Sequence, residues 1–187
     1  MNDKFDVIFF GDSLTFGYGV AKKDSWVYKL IKEHSLSSLN KACNGDTTIG
    51  MLTHYYTDVI TYNPSKIFIM GGTNDLLLGK SVVSIIDNIK IMINDAININ
   101  SKVIIGIPPK IIIEMANMCF SPSSFYDYAE NELLNLKKEL IKLCSDYQIP
   151  YINFYDLTVN KNDIYLDGIH LSALGHELMY KEALDYF

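Results

Sequence analysis

Short, uninterrupted apolar runs alternate along the chain with longer stretches in which apolar residues recur every three or four positions. The runs at 5–10, 66–70 and 102–107 are continuous and rich in Val, Ile and Phe, and weaker ones lie at 40–43 and 150–154. Such runs predict strands buried on both faces, as in a parallel sheet covered by helices. Between them, Val27, Leu30 and Ile31 make one helical stripe after Asp24, a candidate cap, and Ile49, Leu52, Tyr56 and Val59 make another after Thr47. Val82, Ile85, Ile89, Met92 and Ala96 follow Ser81 in the same rhythm. A fourth stripe runs through Phe125, Ala129, Leu133, Leu136, Leu140, Leu143 and Tyr147, with Ser121-Pro122 as its cap and first helical position. A last helix is predicted over 172–186.

Five strands and five helices in this alternation, read from the sequence, predict a three-layer α/β/α fold when the crossovers are right-handed. The specific expectation is a flavodoxin-like, doubly wound, five-stranded parallel sheet of order 2-1-3-4-5, its elements taken in sequence order. No repeat, linker or composition break divides the chain, so one domain over 1–187 is expected. Ligands of such a sheet bind beyond the C-terminal ends of its strands. The polar, glycine-bearing clusters all follow predicted strands: Gly11-Asp12-Ser13, Asn44-Gly45-Asp46 and Gly71-Gly72-Thr73-Asn74-Asp75.

Composition narrows the class. With 187 residues, 49% hydrophobic and 20% charged, the chain can bury a full core without staples. Its net charge of −6 supplies no basic field for a phosphate backbone, so nucleic-acid binding is disfavoured. Lys and Asn interrupt the Ile-rich segment at 82–107, and no apolar stretch is long enough for a membrane span. The first four residues, Met1-Asn2-Asp3-Lys4, carry neither a basic leader nor a small-residue cleavage site, which makes a cytoplasmic location the expectation. Cys43, Cys119 and Cys144 have unrelated spacings and read as free, small, buried hydrophobes. Oligomeric state is left open.

Ser13, directly after a buried strand, is a candidate nucleophile, but an unassisted hydroxyl needs a base and a group that orients the base. Of the four histidines, only His170 has an obvious orienter, because a tight turn in Asp167-Gly168-Ile169-His170 brings the carboxylate to Nδ1 and leaves Nε2 free. The Gly45 N–H and the Asn74 side-chain amide are candidate donors for an oxyanion. Plainer readings stand beside these: a turn serine, a surface ion pair, loop-supporting Asn74 and a turn glycine. His34, His54 and His176 are read as non-catalytic.

Together GDSLT at 11–15, NGDTT at 44–48, GGTND at 71–75 and DGIH at 167–170 resemble, in order, the four blocks of the SGNH (GDSL) hydrolases. The resemblance implies a serine esterase or acylhydrolase with Ser13 as nucleophile, His170 as general base and acid, and Asp167 as orienter. It also implies an oxyanion hole of the Ser13 N–H, the Gly45 N–H and the Asn74 amide, and no cofactor. Asn44 and Leu171 depart from residues frequent in that family without touching these roles. A small-molecule ester is the implied partner; acyl lipids, lysophospholipids, thioesters and acetylated carbohydrates all fit it.

Two readings of another class compete. Asp12, Asp46, Asp75, Asp167 and His170 at one strand edge could surround a divalent cation in a metal-dependent phosphohydrolase. A non-catalytic flavodoxin-like module could instead hold an anion at helix N-termini. For the esterase, Leu76, Leu77, Ile111 and Met115 are the candidate lining of an acyl pocket, and 111–120 is long and apolar enough to form a lid.

Overall fold

Residues 5–187 are described by the computed structural model, so the residues at 1–4 lie outside it. The elements are β1 (Val7–Gly11), α1 (Ser13–Phe16), α2 (Trp26–Glu33), β2 (Ser38–Asn40), α3 (Thr48–Asp58), β3 (Lys66–Met70) and α4 (Thr73–Leu77). They continue with α5 (Val82–Asn98), β4 (Lys102–Ile107), α6 (Ile113–Cys119), α7 (Ser124–Tyr147), β5 (Tyr151–Asn153), α8 (Phe154–Thr158) and α9 (Ala173–Ala183). The strands form one parallel sheet of order β2-β1-β3-β4-β5, as expected.

Alternate residues of each central strand enter opposite cores, which is why the strands read as continuous apolar runs. Ile8, Phe10, Ile67, Ile69, Val103 and Ile105 pack beneath α3, α5 and α7. Val7, Phe9, Phe68, Met70 and Ile104 pack with Trp26 and Leu30 of α2, Phe154 of α8, and Met179 and Ala183 of α9. No helix among the described residues is long and apolar enough to cross a membrane.

Several boundaries differ from expectation. The second strand lies at Ser38–Asn40 rather than 40–43. The later segment still follows β1, since Lys41 N–H donates to Phe9 C=O at 2.8 Å and Cys43 N–H to Gly11 C=O at 2.9 Å, but outside a regular ladder. Helix α3 is turned by one residue from its predicted face: Thr48, Met51 and Tyr55 are buried, while Ile49 is 57% and Tyr56 68% exposed. The cause is polar, because the buried Asp75 carboxylate captures the Thr48 N–H at 2.8 Å and its hydroxyl at 2.7 Å. Ser123, not Ser121, caps α7, accepting from the Phe125 N–H at 3.2 Å, and Phe125 is exposed rather than core. The short helices α1, α4 and α6 fall in predicted loops, and α8 begins at Phe154, the last residue of the predicted strand at 150–154, which ends at Asn153. Of the cysteines only Cys144 is buried; Cys43 sits on the irregular segment after β2 and Cys119 at the end of α6, both exposed.

Candidate active site

The chain leaves β1 at Gly11 and enters α1 immediately, with Asp12 as cap: its Oδ1 accepts from the Leu14 N–H at 2.9 Å. Ser13 is therefore held at the first helical position, just beyond the C-terminal end of β1. Trp26, fully buried in α2, fixes α1 from below by donating its indole N–H to Leu14 C=O at 3.0 Å. A Cβ on Gly11 would lie 2.4 Å from Met70 O, so only glycine lets β1 end this close to β3.

Ser13 Oγ lies 3.0 Å from His170 Nε2, although 157 residues separate them. His170 Nδ1 lies 2.7 Å from Asp167 Oδ2, and Asp167 Oδ1 accepts from the Ile169 and His170 N–H groups at 2.9 and 2.7 Å. The tight turn needs Gly168, whose φ is +89°. Burial works against the Asp167 charge, but the main-chain and imidazole donors of His170 and the Ile169 N–H outweigh it and hold the carboxyl below its ordinary value. An ionised Asp167 fixes the proton on Nδ1, which leaves Nε2 as an acceptor facing the serine hydroxyl. Tyr18 covers the imidazole, ring centroids 4.5 Å apart.

The other two loops converge on the same edge. Asn74, second residue of α4, uses one amide N–H to bond Asp46 C=O at 2.8 Å and keeps a second N–H. Gly45 has φ of +76° and is exposed. A Cβ there would meet no protein atom within 4 Å, so the backbone angle, rather than crowding by the protein, calls for glycine. Asp75 and Thr48 tie α4 to α3, and Asn88 Nδ2 adds a bond to Thr48 Oγ1 at 2.9 Å. Asp12 is fully buried. Desolvation pushes its carboxyl up to about 7, against the Leu14 hydrogen bond and with help from the charges of Asp75 and Asp46.

These partners disperse the proposed metal ligands. Asp12 caps α1, Asp75 holds Thr48, Asp46 bonds His54 and Asp167 bonds His170. Among the described residues no group of three or more His, Cys, Asp or Glu side chains is gathered as a metal site. His176 is buried, its Nδ1 accepting from the Trp26 N–H at 3.5 Å; burial first, then nearby Lys29 and His170, lowers its pKa to about 4.

Beside His170 and Asn74 opens a cleft of about 280 Å³ lined by Leu77, Phe120, Ser123, Phe125, Tyr126 and Ile169. Leu77 is where the sequence placed it. Leu76 and Ile111 instead belong to the core, at 0% and 1% exposure, and Met115 packs on the other side, where a Cβ on Gly168 would touch it. The remaining lining was legible only in part: Phe120 fell in the apolar connection, while Phe125 was assigned to a core stripe and Tyr126 and Ile169 carried no periodic signal.

The family model for the GDSL-like lipase/acylhydrolase family matches residues 9–178. The chain belongs to that family. Among GDSL-like relatives of known structure, a lipolytic protein from Veillonella parvula superposes with a TM-score of 0.81 at 24% identity, covering 97% of each chain. A catalytic mutant of an acetylxylan esterase from Geobacillus stearothermophilus gives 0.79 at 15% identity, covering 99% of this chain and 94% of that one. These likenesses establish the shared fold. An uncharacterized lipoprotein of Bacillus subtilis, YqeF, is 37% identical over 89 residues, 42% of this chain and 37% of that protein. The matched stretch thus spans little more than a third of the bacillary protein.

Proposed function

We propose that this GDSL-family ester hydrolase works by acyl transfer to Ser13 and then to water. The observation that carries the reading is the continuous Ser13–His170–Asp167 chain, 3.0 Å and 2.7 Å between heavy atoms. Ser13 Oγ adds to the ester carbonyl as its proton passes to His170 Nε2. The resulting oxyanion accepts from the Ser13 and Gly45 main-chain N–H groups and from the Asn74 N–H not used by Asp46. Collapse expels the leaving alkoxide, which takes the proton from Nε2 and departs as the alcohol. Water then adds to the acyl-serine, giving its proton to His170, and the second collapse releases the acid and returns the proton to Ser13 Oγ. Asp167 remains ionised throughout and stabilises the imidazolium.

The substrate is an ester of modest size whose apolar part enters the cleft. Its volume of about 280 Å³ lies at the lower edge of small-molecule sites. Its apolar walls are Leu77, Phe120, Phe125 and Ile169, with Asn74 and His170 at the reacting end and Ser123 and Tyr126 as further polar lining. The test is a p-nitrophenyl ester series from acetyl to dodecanoyl, with Ser13→Ala and His170→Ala as controls. Turnover peaking among the short acyl groups and abolished in both variants supports the reading. Full activity in either variant refutes the serine mechanism, and strongest turnover of dodecanoyl refutes the substrate assignment.

A further inference from the structure

His54 bridges two carboxylates outside the Ser13–His170–Asp167 chain. Its Nε2 lies 2.8 Å from Asp46 Oδ2 and its Nδ1 2.8 Å from Asp58 Oδ2. Asp58 is one helical turn further along α3, and its Oδ1 is held by Lys41 Nζ at 3.1 Å. The ring packs edge-on against Phe10 of β1, centroids 5.1 Å apart. A neutral imidazole has one N–H, so it can serve only one carboxylate; both contacts together require the doubly protonated ring.

The groups around the ring favour that form. From α3 comes Asp58; from the segment after β2 come Asp46 and, acting on Asp58, Lys41; β1 offers only the uncharged Phe10. Buried Asp12, the cap of α1, lies near enough to feel the charges of Asp75 and Asp46. Burial disfavours the His54 charge, yet the two carboxylates prevail and hold its pKa above the ordinary histidine value.

Asp46 connects this clamp to the reaction. Its carboxylate is gripped by His54, its carbonyl receives the Asn74 amide at 2.8 Å, and its neighbour in the chain is Gly45. We propose that His54 is a positioning residue for the oxyanion hole, its imidazolium fixing Asp46 so that the Gly45 N–H and the Asn74 amide are aimed at the developing charge. The inference rests on the acyl-transfer reading given above. When the His54 proton leaves as pH rises, one carboxylate faces a lone pair, Asp46 is released and the two donors lose their aim. Turnover then falls on the alkaline side through kcat, with KM little changed, because the donors act mainly once the oxyanion forms.

The experiment measures kcat and KM for a short p-nitrophenyl ester from about pH 5 to about pH 10, across the titration range of histidine. It compares the wild type, His54→Arg, His54→Gln and Ser13→Ala, and follows the His54 ring titration by NMR in the wild-type protein. Arginine keeps a charge and several donors at every pH. His54→Arg is expected to retain most of kcat and to lose the alkaline fall. His54→Gln should lower kcat about tenfold, part of the loss expected for deleting an oxyanion donor, with KM within about twofold and the alkaline fall absent. A merely structural His54 would lower Tm and leave the pH profile alone. The inference is overturned if the alkaline fall persists in both variants, or if its midpoint in the wild type departs from the ring titration, a comparison that needs no folded variant. Turnover surviving in Ser13→Ala would instead overturn the acyl-transfer reading itself.

Discussion

The Asn74 side chain donates to the Asp46 main-chain carbonyl at 2.8 Å, joining the turn after β3 to the loop after β2. One contact therefore both orients the amide and braces the segment that carries Gly45. Asn74→Ala removes the proposed oxyanion donor and this brace together. Its kcat should fall by about a hundredfold or more, with a smaller rise in KM. Steady-state kinetics on a short acyl ester check it, and an unchanged kcat would remove Asn74 from the oxyanion hole.

Asp12 gives a pH-dependent stability. Its buried carboxyl titrates at about 7, above the ordinary 3.8, because desolvation disfavours the charge. A group raised in this way keeps its contribution to stability below the ordinary value and loses it as pH rises through about 7. Asn at this position still caps α1 but cannot ionise. Asp12→Asn should thus match the wild type near pH 4 and exceed it near pH 8, by at most about 4 kcal/mol. Thermal melts at the two pH values decide, and an equal difference at both would contradict the prediction.

Gly11 tests how tightly β1 must approach β3. A Cβ there would sit 2.4 Å from Met70 O and 2.6 Å from Thr15 Oγ1, and main chain cannot yield as a side chain can. Gly11→Ala should cost about 1–3 kcal/mol and reduce kcat by displacing Ser13, two residues on. Denaturant unfolding and turnover read the two effects separately.

If the acyl group of the proposed reaction enters the cleft, its walls set the chain-length preference. Leu77→Phe narrows the space beside Asn74 and should shift the optimum to shorter chains. Phe125→Ala removes an exposed ring from the cleft lining and should extend it to longer ones. A chain-length profile unchanged in both would move the acyl group elsewhere.

How far the sequence could be read follows from what each residue answers to. Strands β3 and β4 were legible to the residue because both faces of each are buried and nothing polar competes. The edge strand β2, Ser38-Leu39-Asn40, has no apolar signature, and reading slid to the next residues, which also follow β1. Helix α3 was read one residue out because its register answers to the Asp75–Thr48 contact, a polar contact between distant segments. Asp167 and His170 were readable as a pair since three residues separate them, whereas their approach to Ser13 followed only from the four blocks taken together. The His54 clamp is not legible in the sequence because it depends on Asp46, a loop residue, as well as on Asp58 in its own helix. The cleft escaped for a similar reason: Leu76 and Leu77 are adjacent in the sequence, yet the helical turn sends one into the core and the other into the site.

Ile112 N–H donates to Gly168 C=O at 2.8 Å, and a Cβ on Gly168 would lie 2.5 Å from Ile112 O and 2.6 Å from Ala116 N. The histidine turn and the start of α6 are thus riveted into one mechanical part. A substitution that shifts the start of α6 should therefore be felt at the turn that carries His170, although no residue of α6 touches the imidazole through the cleft.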